Sequence, residues 1–204
     1  MTEAIIETHP FPPLLPPHAT VMLMGTFPPK ADKHAMAFHY PNFQNDMWRI
    51  YGLVFFNNAQ YFQKSGEKAF DADKIKAFLW EKGIASCPTV AKAIRLQDNA
   101  SDKFLKIVET VDLEKVLAQL PDCRKIATTG GKATEVLLDI MPSENGQSGK
   151  SAAQMPKTNQ TIVYPFGGRD LTLTRLPSTS RAYPLSLAAK TAAYRAFFEA
   201  AGLV

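Results

Sequence analysis

Side chains able to grip a planar ring follow an apolar run near the start of the chain. The run, residues 21–24, reads Val-Met-Leu-Met and ends abruptly at Gly25. Aromatic rings stack on planar heterocycles, and hydroxyl or amide groups hydrogen-bond to their edges. The segment therefore predicts a binding site for a heterocycle, formed by Gly25, Thr26, Phe27, Phe38 and Asn45.

Two of these residues have a competing structural explanation. Asn45 precedes a helical pattern, so its amide is also a candidate helix N-cap. Phe38 belongs to an aromatic cluster, and such clusters are more often core than binding platform. The cluster lies between charged and proline-rich segments, however, where pure packing is less expected, and Phe38 is the preferred stacking residue.

The element that must position these side chains is a strand. Four consecutive apolar residues, 21–24, are typical of a strand buried on both faces of a parallel sheet. Gly25 supplies the backbone freedom to turn, while Pro28 and Pro29 forbid an immediate helix. Open α/β sheets bind ligands at the carboxyl ends of their strands, which is where this loop would lie.

The rest of the chain alternates between strand and helix patterns, which predicts a three-layer α/β/α fold around a mainly parallel sheet. Strands are predicted at 21–24, 84–86, 124–128, 161–164 and 171–176, the last two as a paired set. Helices are predicted at 45–56, from Asp71 or Asp73 to Gly83, after Ser101 or Asp102 with the stripe Phe104, Leu105 and Val108, from Asp112 to Pro121, after Gly130-Gly131, and at 185–201.

Length and composition favour one domain, residues 1–204. A hydrophobic content of 46% in 204 residues is enough to form a core. Residues 1–18 are rich in proline and predict an extended strap over the surface. Residues 142–160 are polar and low in complexity, which predicts a flexible loop.

Several classes of protein are disfavoured. No run approaches the roughly 20 apolar residues of a membrane helix, and the N-terminus lacks a secretory pattern, so we expect a cytoplasmic protein. We also expect it to be a monomer. Cys87 and Cys123 fit no redox or metal spacing and are expected to be reduced thiols. The four histidines are too scattered for a zinc site, and we expect no metal. Gly130-Gly131-Lys132 lacks the remaining residues of a phosphate-binding P-loop.

The net charge of +4 favours a polyanionic partner without proving one. A helix start at Gly130-Gly131 could hold a phosphate through its backbone N–H groups, with Lys132 beside it. The cations that fall in or beside predicted loops could share one edge of the protein; they are Lys30, Lys33, Lys132, Arg169, Arg175 and Arg181.

Two short motifs, in this order, resemble those of the uracil-DNA glycosylase superfamily. The first is Gly25-Thr26-Phe27-Pro28-Pro29, with Tyr40-Pro41 and Asn45-Asp46-Met47-Trp48-Arg49 downstream; the second is residues 176–182, Leu-Pro-Ser-Thr-Ser-Arg-Ala. The chain is most similar to the mismatch-specific and hypoxanthine-DNA glycosylase branches. The segments between the two motifs also follow the order seen in the family, which extends the resemblance over most of the chain. These segments are Gly83-Ile84, Arg95, residues 99–102 and residues 129–133.

The resemblance implies roles for individual residues. Asn45 matches the asparagine of the hypoxanthine-type branch and would orient water or contact the base, with Thr26 beside it as a second catalytic candidate. Gly25, Phe27 and Phe38 would form the base pocket. Arg181 would enter the minor groove or fill the space that the base leaves, while Ser178, Thr179 and Ser180 donate to phosphates. A turn leading to Pro184 at the start of the last helix explains the same segment structurally.

The first motif departs from its relatives at Thr26, Phe27 and Pro29, and the second begins with Leu176 where active uracil enzymes carry histidine. The resemblance implies a monofunctional glycosylase that removes uracil or another deaminated base from DNA without a cofactor. The alternative is a catalytically silent member that binds damaged or single-stranded nucleic acid. A nucleoside hydrolase is a third possibility.

Overall fold

The computed structural model describes residues 5–96, 104–141 and 155–204. Its centre is a five-stranded sheet in the order β3-β2-β6-β8-β7. β2 pairs in parallel with β3 and β6, and β6 pairs in parallel with β8. Only β7 runs antiparallel, as the hairpin partner of β8. These strands are β2 Val21–Gly25, β3 Ile84–Pro88, β6 Lys125–Thr129, β7 Thr161–Phe166 and β8 Arg169–Leu176.

Helices cover both faces of this sheet, which confirms the predicted three-layer α/β/α fold. They are α1 Met47–Phe56, α2 Ala72–Lys82, α3 Leu113–Ala118, α4 Gly131–Ile140 and α5 Leu187–Ala200. In β2, Val21 and Leu23 pack into the core with α1, α2 and α5. Met22 and Met24 pack into the core with α3 and α4 on the other face. The uninterrupted apolar run is therefore buried on both sides.

Local signals set the helix ends close to where the sequence predicts them. Asp71 caps α2 by accepting a hydrogen bond from Lys74 N at 3.0 Å, and Gly83 ends that helix with a left-handed φ of 63°. Asp112 caps α3 in the same way. The first helix begins at Met47, two residues later than predicted, and the last begins at Leu187 behind a Ser186 cap.

The helix predicted over Phe104, Leu105 and Val108 is wrong, because this segment is strand β5, Leu105–Thr110. It pairs antiparallel with β4, Val90–Arg95, which in turn pairs with β1, Ile6–Thr8, to form a second, three-stranded sheet. Leu105 packs inward while Val108 is 44% exposed. Pairing with β4, the preceding strand in the chain, has overridden the local helical spacing. The proposed caps Ser101 and Asp102 lie outside the described residues.

The N-terminal strap docks on both sheets. β1 is anchored to β4 by pairing and by an ion pair between Glu7 and Arg95 at 2.9 Å. Leu14 then forms an isolated antiparallel bridge with Ser86 on the edge strand β3. The strap thus covers an edge that would otherwise present unpaired backbone groups. Residues 1–4 lie outside the described residues.

Of the predicted flexible loop, residues 142–154 lie outside the described residues. The part that follows is tied to β8, because Asn159 N donates to Arg175 O at 2.7 Å and Arg175 Nη1 donates to Pro156 O at 3.1 Å. Within the described part of the chain, no helix has the length and apolarity needed to cross a membrane.

Candidate functional site

A cavity of about 560 Å³ opens at the carboxyl ends of the parallel strands. It lies where the chain leaves the neighbouring strands β2 and β6. After β2 the next strand of this sheet, β3, is added on one side, and after β6 the next strand, β8, is added on the other side. That is the topological switch point of an open α/β sheet, the usual position of a ligand site.

The cavity brings together both segments that the sequence singles out, from opposite ends of the chain. Eight of the ten predicted site residues line it: Gly25, Thr26, Phe27, Asn45, Ser178, Thr179, Ser180 and Arg181. The parallel sheet causes this convergence, since β2 and β8 end at the same edge.

Two predicted site residues lie elsewhere. Phe38 is only 3% exposed and stacks on His39 behind the cavity wall, so its faces are already covered and it cannot serve as the open stacking platform. Lys132 is outside the cavity lining and pairs with Glu135 at 3.2 Å. Its remaining exposure still allows contact with a phosphate beyond the cavity rim.

Tyr40 and Gly25 form one wall in close contact. The Tyr40 hydroxyl lies 3.0 Å from Thr129 Oγ1, and a Cβ at Gly25 would stand 2.7 Å from that hydroxyl. Tyr40 has a φ of 54°, a left-handed conformation that is uncommon for a bulky residue. Glycine is therefore required at the end of β2 because the Tyr40 ring packs directly on its backbone.

Phe27 is the aromatic side chain that the first motif presents to the cavity. It is partly exposed, and the guanidinium of Arg95 lies 5.6 Å from its ring centroid. Arg95 also donates to Pro28 O at 2.6 Å while Glu7 holds it from the strap. The loop after β2 is thus fixed by a buried arginine from the second sheet.

Asn45 lines the cavity, but the prediction that it is the N-cap of α1 is wrong, because Asp46 occupies that position. Its Oδ1 accepts a hydrogen bond from Met47 N at 2.9 Å, at the start of α1, while the residue lines the cavity. Arg49 Nη1 donates to the backbone carbonyls of Phe43 and Asn45, at 2.7 and 3.0 Å. The amide is therefore held in place, with its Nδ2 donor and one Oδ1 lone pair left for a ligand or water.

A buried ion pair joins the two motifs. Lys190, 1% exposed in α5, donates to Asp46 Oδ2 at 2.8 Å and to Ser180 O at 2.7 Å. Asp46 N in turn donates to Thr179 O at 2.9 Å. Arg181 Nε lies 3.6 Å from Asp46 Oδ1 while the arginine side chain stays 55% exposed. The 178–181 segment is therefore fastened to the start of α1, beside Asn45.

The structure adds polar residues that the sequence did not single out. His39 Nδ1 lies 2.6 Å from Ser86 Oγ, and both residues line the cavity. Burial lowers the pKa of His39 to about 3, and burial also lowers the pKa of His9, a neighbouring lining residue, to about 4. Ser86 could have been found by applying the carboxyl-end rule to the predicted strand 84–86. His39 needed the tertiary contact.

The expectation that the loop cations share one edge is wrong for Arg169. This residue begins β8, at the edge of the sheet opposite the cavity, and donates to the carbonyls of Leu117, Leu120 and Cys123. It closes the ends of α3 and its following turn, which is a structural role.

Cys87 and Cys123 are both free and buried, and burial raises the pKa of Cys87 to about 12. Among the described residues, no cluster of three or more histidine, cysteine, aspartate or glutamate side chains could hold a metal ion.

No family model matches this chain, and no curated protein matches it. A comparison with solved structures finds a protein of similar fold. The chain is similar to a solution NMR structure from Methanosarcina acetivorans, described as a "putative Uracil DNA glycosylase", with a TM-score of 0.59. The two share 18% identity, and the alignment covers 94% of this chain and 98% of the other. The likeness therefore extends over the whole fold.

Proposed function

We propose that this protein is a monofunctional DNA glycosylase that hydrolyses the N-glycosidic bond of uracil or another deaminated base. One observation carries the proposal. A cavity in a uracil DNA glycosylase-like fold is lined by a ring, an amide and a hydroxyl-rich basic segment, contributed by motifs far apart in the sequence.

The cavity suits a base that has been turned out of the DNA helix. An enzyme acting on a base must extrude it and hold it by stacking and by hydrogen bonds to its edge. Phe27 is the stacking surface in this proposal, since it lines the cavity and Phe38 supports the wall from behind. Tyr40 on Gly25 limits the depth of the space.

Asn45 and Thr26 are the proposed catalytic residues. Cleavage of an N-glycosidic bond can proceed through a cationic sugar, so the protein chiefly has to orient water and favour departure of the base. Asn45 is held by its bond to Met47 N and by Arg49 on its carbonyl, which suits a residue that positions water. Thr26 is 7% exposed and adds a hydroxyl-bearing side chain to the lining of the same cavity.

The 178–181 segment and Arg181 are the proposed DNA contacts. The hydroxyl and backbone groups of Ser178, Thr179 and Ser180 lie at the cavity rim, where phosphates flanking an extruded nucleotide would pass. Arg181 is the exposed cation of this segment and would enter the groove. Within the superfamily, we propose that the chain belongs with the mismatch-specific and hypoxanthine-type enzymes, on the strength of Asn45 and the motif order.

The test is a panel of oligonucleotides containing uracil, hypoxanthine, xanthine or mismatched thymine, followed by alkali to reveal abasic sites. We expect excision of at least one base, and we expect Asn45→Ala to slow it about 100-fold because water is no longer oriented. Absence of excision from every substrate would refute the proposed glycosylase activity. Binding of the oligonucleotides without formation of abasic sites would indicate a catalytically silent DNA-binding protein instead.

A matched control separates catalysis from the local hydrogen bond that Asn45 makes to Met47 N. Asn58 makes the same local bond as Asn45, with its Oδ1 accepting from Gln60 N at 2.9 Å, but it lies outside the cavity. Asn58→Ala should leave the excision rate unchanged. If Asn45→Ala excises the base as fast as the wild type, Asn45 has a structural role only and the catalytic assignment is wrong.

A further inference from the structure

A buried serine and histidine pair in the cavity is unused by the function proposed above. Ser86 lies in β3 opposite Leu23 and is 4% exposed, yet it lines the cavity. Its Oγ lies 2.6 Å from Nδ1 of His39. A hydroxyl buried in this position is costly unless it is hydrogen-bonded, and the histidine satisfies it.

Packing fixes the imidazole ring from several sides. Phe38 stacks on it with ring centroids 4.7 Å apart and an interplanar angle of 14°. The ring of His9 meets it edge-on at 5.6 Å. Trp48 Nε1 donates to the backbone carbonyl of His39 at 3.1 Å. The imidazole therefore cannot turn away from Ser86 without disrupting the core.

The direction of the hydrogen bond follows from the charge state of the ring. Burial holds the pKa of His39 at about 3, so the imidazole is neutral near pH 7 and carries one proton. The backbone carbonyls of Phe11 and Pro12 favour a proton on the ring. Nδ1 already meets the Ser86 hydroxyl, which leaves Nε2 as the nitrogen that can turn a proton towards those carbonyls; Nε2 is buried and makes no hydrogen bond among the described residues. On this ground we assign the proton to Nε2, so that Nδ1 accepts from Ser86.

This assignment leaves Ser86 without a donor for a ligand. A serine hydroxyl has one hydrogen and two lone pairs. Since the hydrogen is committed to His39 Nδ1, the oxygen can only accept a hydrogen bond from a group in the cavity. A base with a ring N–H would satisfy it, whereas a base with a ring lone pair at that place would be repelled.

We propose that Ser86, oriented by His39, is a specificity-determining residue that accepts the ring N–H created when a base is deaminated. Deamination converts the N3 acceptor of cytosine into the N3–H of uracil, and the N1 acceptor of adenine into the N1–H of hypoxanthine. The inference rests on the proposed function and names the feature of the substrate that the cavity reads. Thymine and guanine also carry a ring N–H, so Ser86 does not reject them.

The experiment measures binding rather than hydrolysis. Duplexes carry a 2′-fluoroarabino nucleotide, whose glycosidic bond resists cleavage, with uracil, N3-methyluracil or cytosine as its base. Each is placed opposite an abasic residue, so that none of the three has to be unpaired. We expect the wild type to bind the uracil probe about tenfold more tightly than either of the others, as one well-made hydrogen bond would give.

The variants test the serine and its partner separately. Ser86→Ala should bring the three affinities to within about twofold of one another, with the protein still folded by its circular dichroism spectrum. His39→Leu removes the acceptor for the serine proton, so the hydroxyl becomes free to donate to cytosine N3. The ratio of the affinities for the uracil and cytosine probes should therefore decrease. Ser178→Ala removes a hydroxyl at the proposed phosphate side of the cavity and should lower the affinity for all three probes by the same factor.

A tenfold preference for uracil that survives in Ser86→Ala would overturn the proposal, as would a wild type that binds the three probes alike. Loss of affinity in Ser86→Ala that is equal for all probes would assign Ser86 a structural role only. If no substrate is excised in the oligonucleotide panel while the uracil preference depends on Ser86, the hydrolytic function fails and base recognition by Ser86 stands.

Discussion

Leu176 occupies the first position of the second motif, where the resemblance leads one to expect a histidine in an active uracil enzyme. In this structure it is 1% exposed and packs into the core with α1 and α5. An aliphatic side chain there cannot stabilise a departing base anion. Other polar side chains line the cavity, from the loop after β2, from β3, from the end of β6 and from the 178–181 segment, with His39 neutral and bonded to Ser86.

Arg181 is the residue on which the predicted DNA contact can be tested most directly. Its pairing with Asp46 is at 3.6 Å and its side chain is 55% exposed, so the ion pair contributes little and the charge remains available. We expect Arg181→Ala to weaken duplex binding and to reduce the slope of log K against log salt by about 1, because one phosphate contact is lost. Fluorescence anisotropy across a salt series measures both.

Arg124→Ala is the matched control, since Arg124 is exposed near the start of β6, at the edge opposite the cavity. It removes the same charge from the other side of the protein. Equal slopes for the wild type and Arg181→Ala would exclude Arg181 from the DNA interface.

At the scale of elements, α1 and α5 hold the two halves of the cavity together. Asp46 precedes α1, Lys190 lies in the first turn of α5, and the 178–181 segment is tied to both. The pair is buried, so each charge depends on the other for its stability. Elements distant in sequence thereby bring Asn45 and Ser180 to the same cavity.

Lys190→Met tests this connection. Loss of one partner leaves Asp46 buried with a weakened counter-charge, and we expect the free energy of unfolding to fall by about 3 kcal/mol. Well below the unfolding temperature, binding to uracil-containing DNA should also weaken, because Ser180 loses its anchor. Urea denaturation and fluorescence anisotropy are the two measurements.

Arg195→Met provides the comparison, because Arg195 also joins α5 to α1, through a 2.8 Å bond to Leu53 O, but away from the cavity. It should lower stability with DNA binding unchanged. If the two variants lose binding in proportion to their loss of stability, Lys190 has no separate part in shaping the site.

For the whole molecule, two buried neutral histidines link stability to pH: His9 in the strap, and His39, whose ring the His9 ring contacts. Burial lowers the pKa of His9 to about 4 and that of His39 to about 3, from 6.5 in the unfolded chain. As the pH drops below 6.5, these histidines therefore become protonated in the unfolded chain while they stay neutral in the folded protein. The free energy of unfolding decreases as the pH is lowered, until the folded-state pKa values are reached.

We expect the free energy of unfolding to fall between pH 7 and pH 5, with about 2 kcal/mol of the loss due to each histidine considered alone. In His9→Gln, the difference between the two pH values should shrink by a similar amount. Urea titrations at both pH values measure it. An undiminished difference in the variant would show that other groups cause the acid sensitivity.

Much of the fold was predictable from local patterns. Asp71, Gly83 and Asp112 set helix ends through bonds to their own neighbours, and the apolar run before Gly25 indicated a doubly buried strand. The segment from Leu105 was not predictable in this way, because its partner strand β4 is separated from it by intervening chain and supplies the pairing that makes it a strand.

The sequence by itself determined which residue types reach the carboxyl edge of the sheet, because strand order, glycine and proline positions and helix caps act over a few residues. It thereby indicated eight of the ten site residues that line the cavity. Only the tertiary structure decided which faces are open. Phe38 is covered by His39, Lys190 is buried on Asp46, and Ser86 meets His39, since burial and long-range hydrogen bonds depend on what other elements pack nearby.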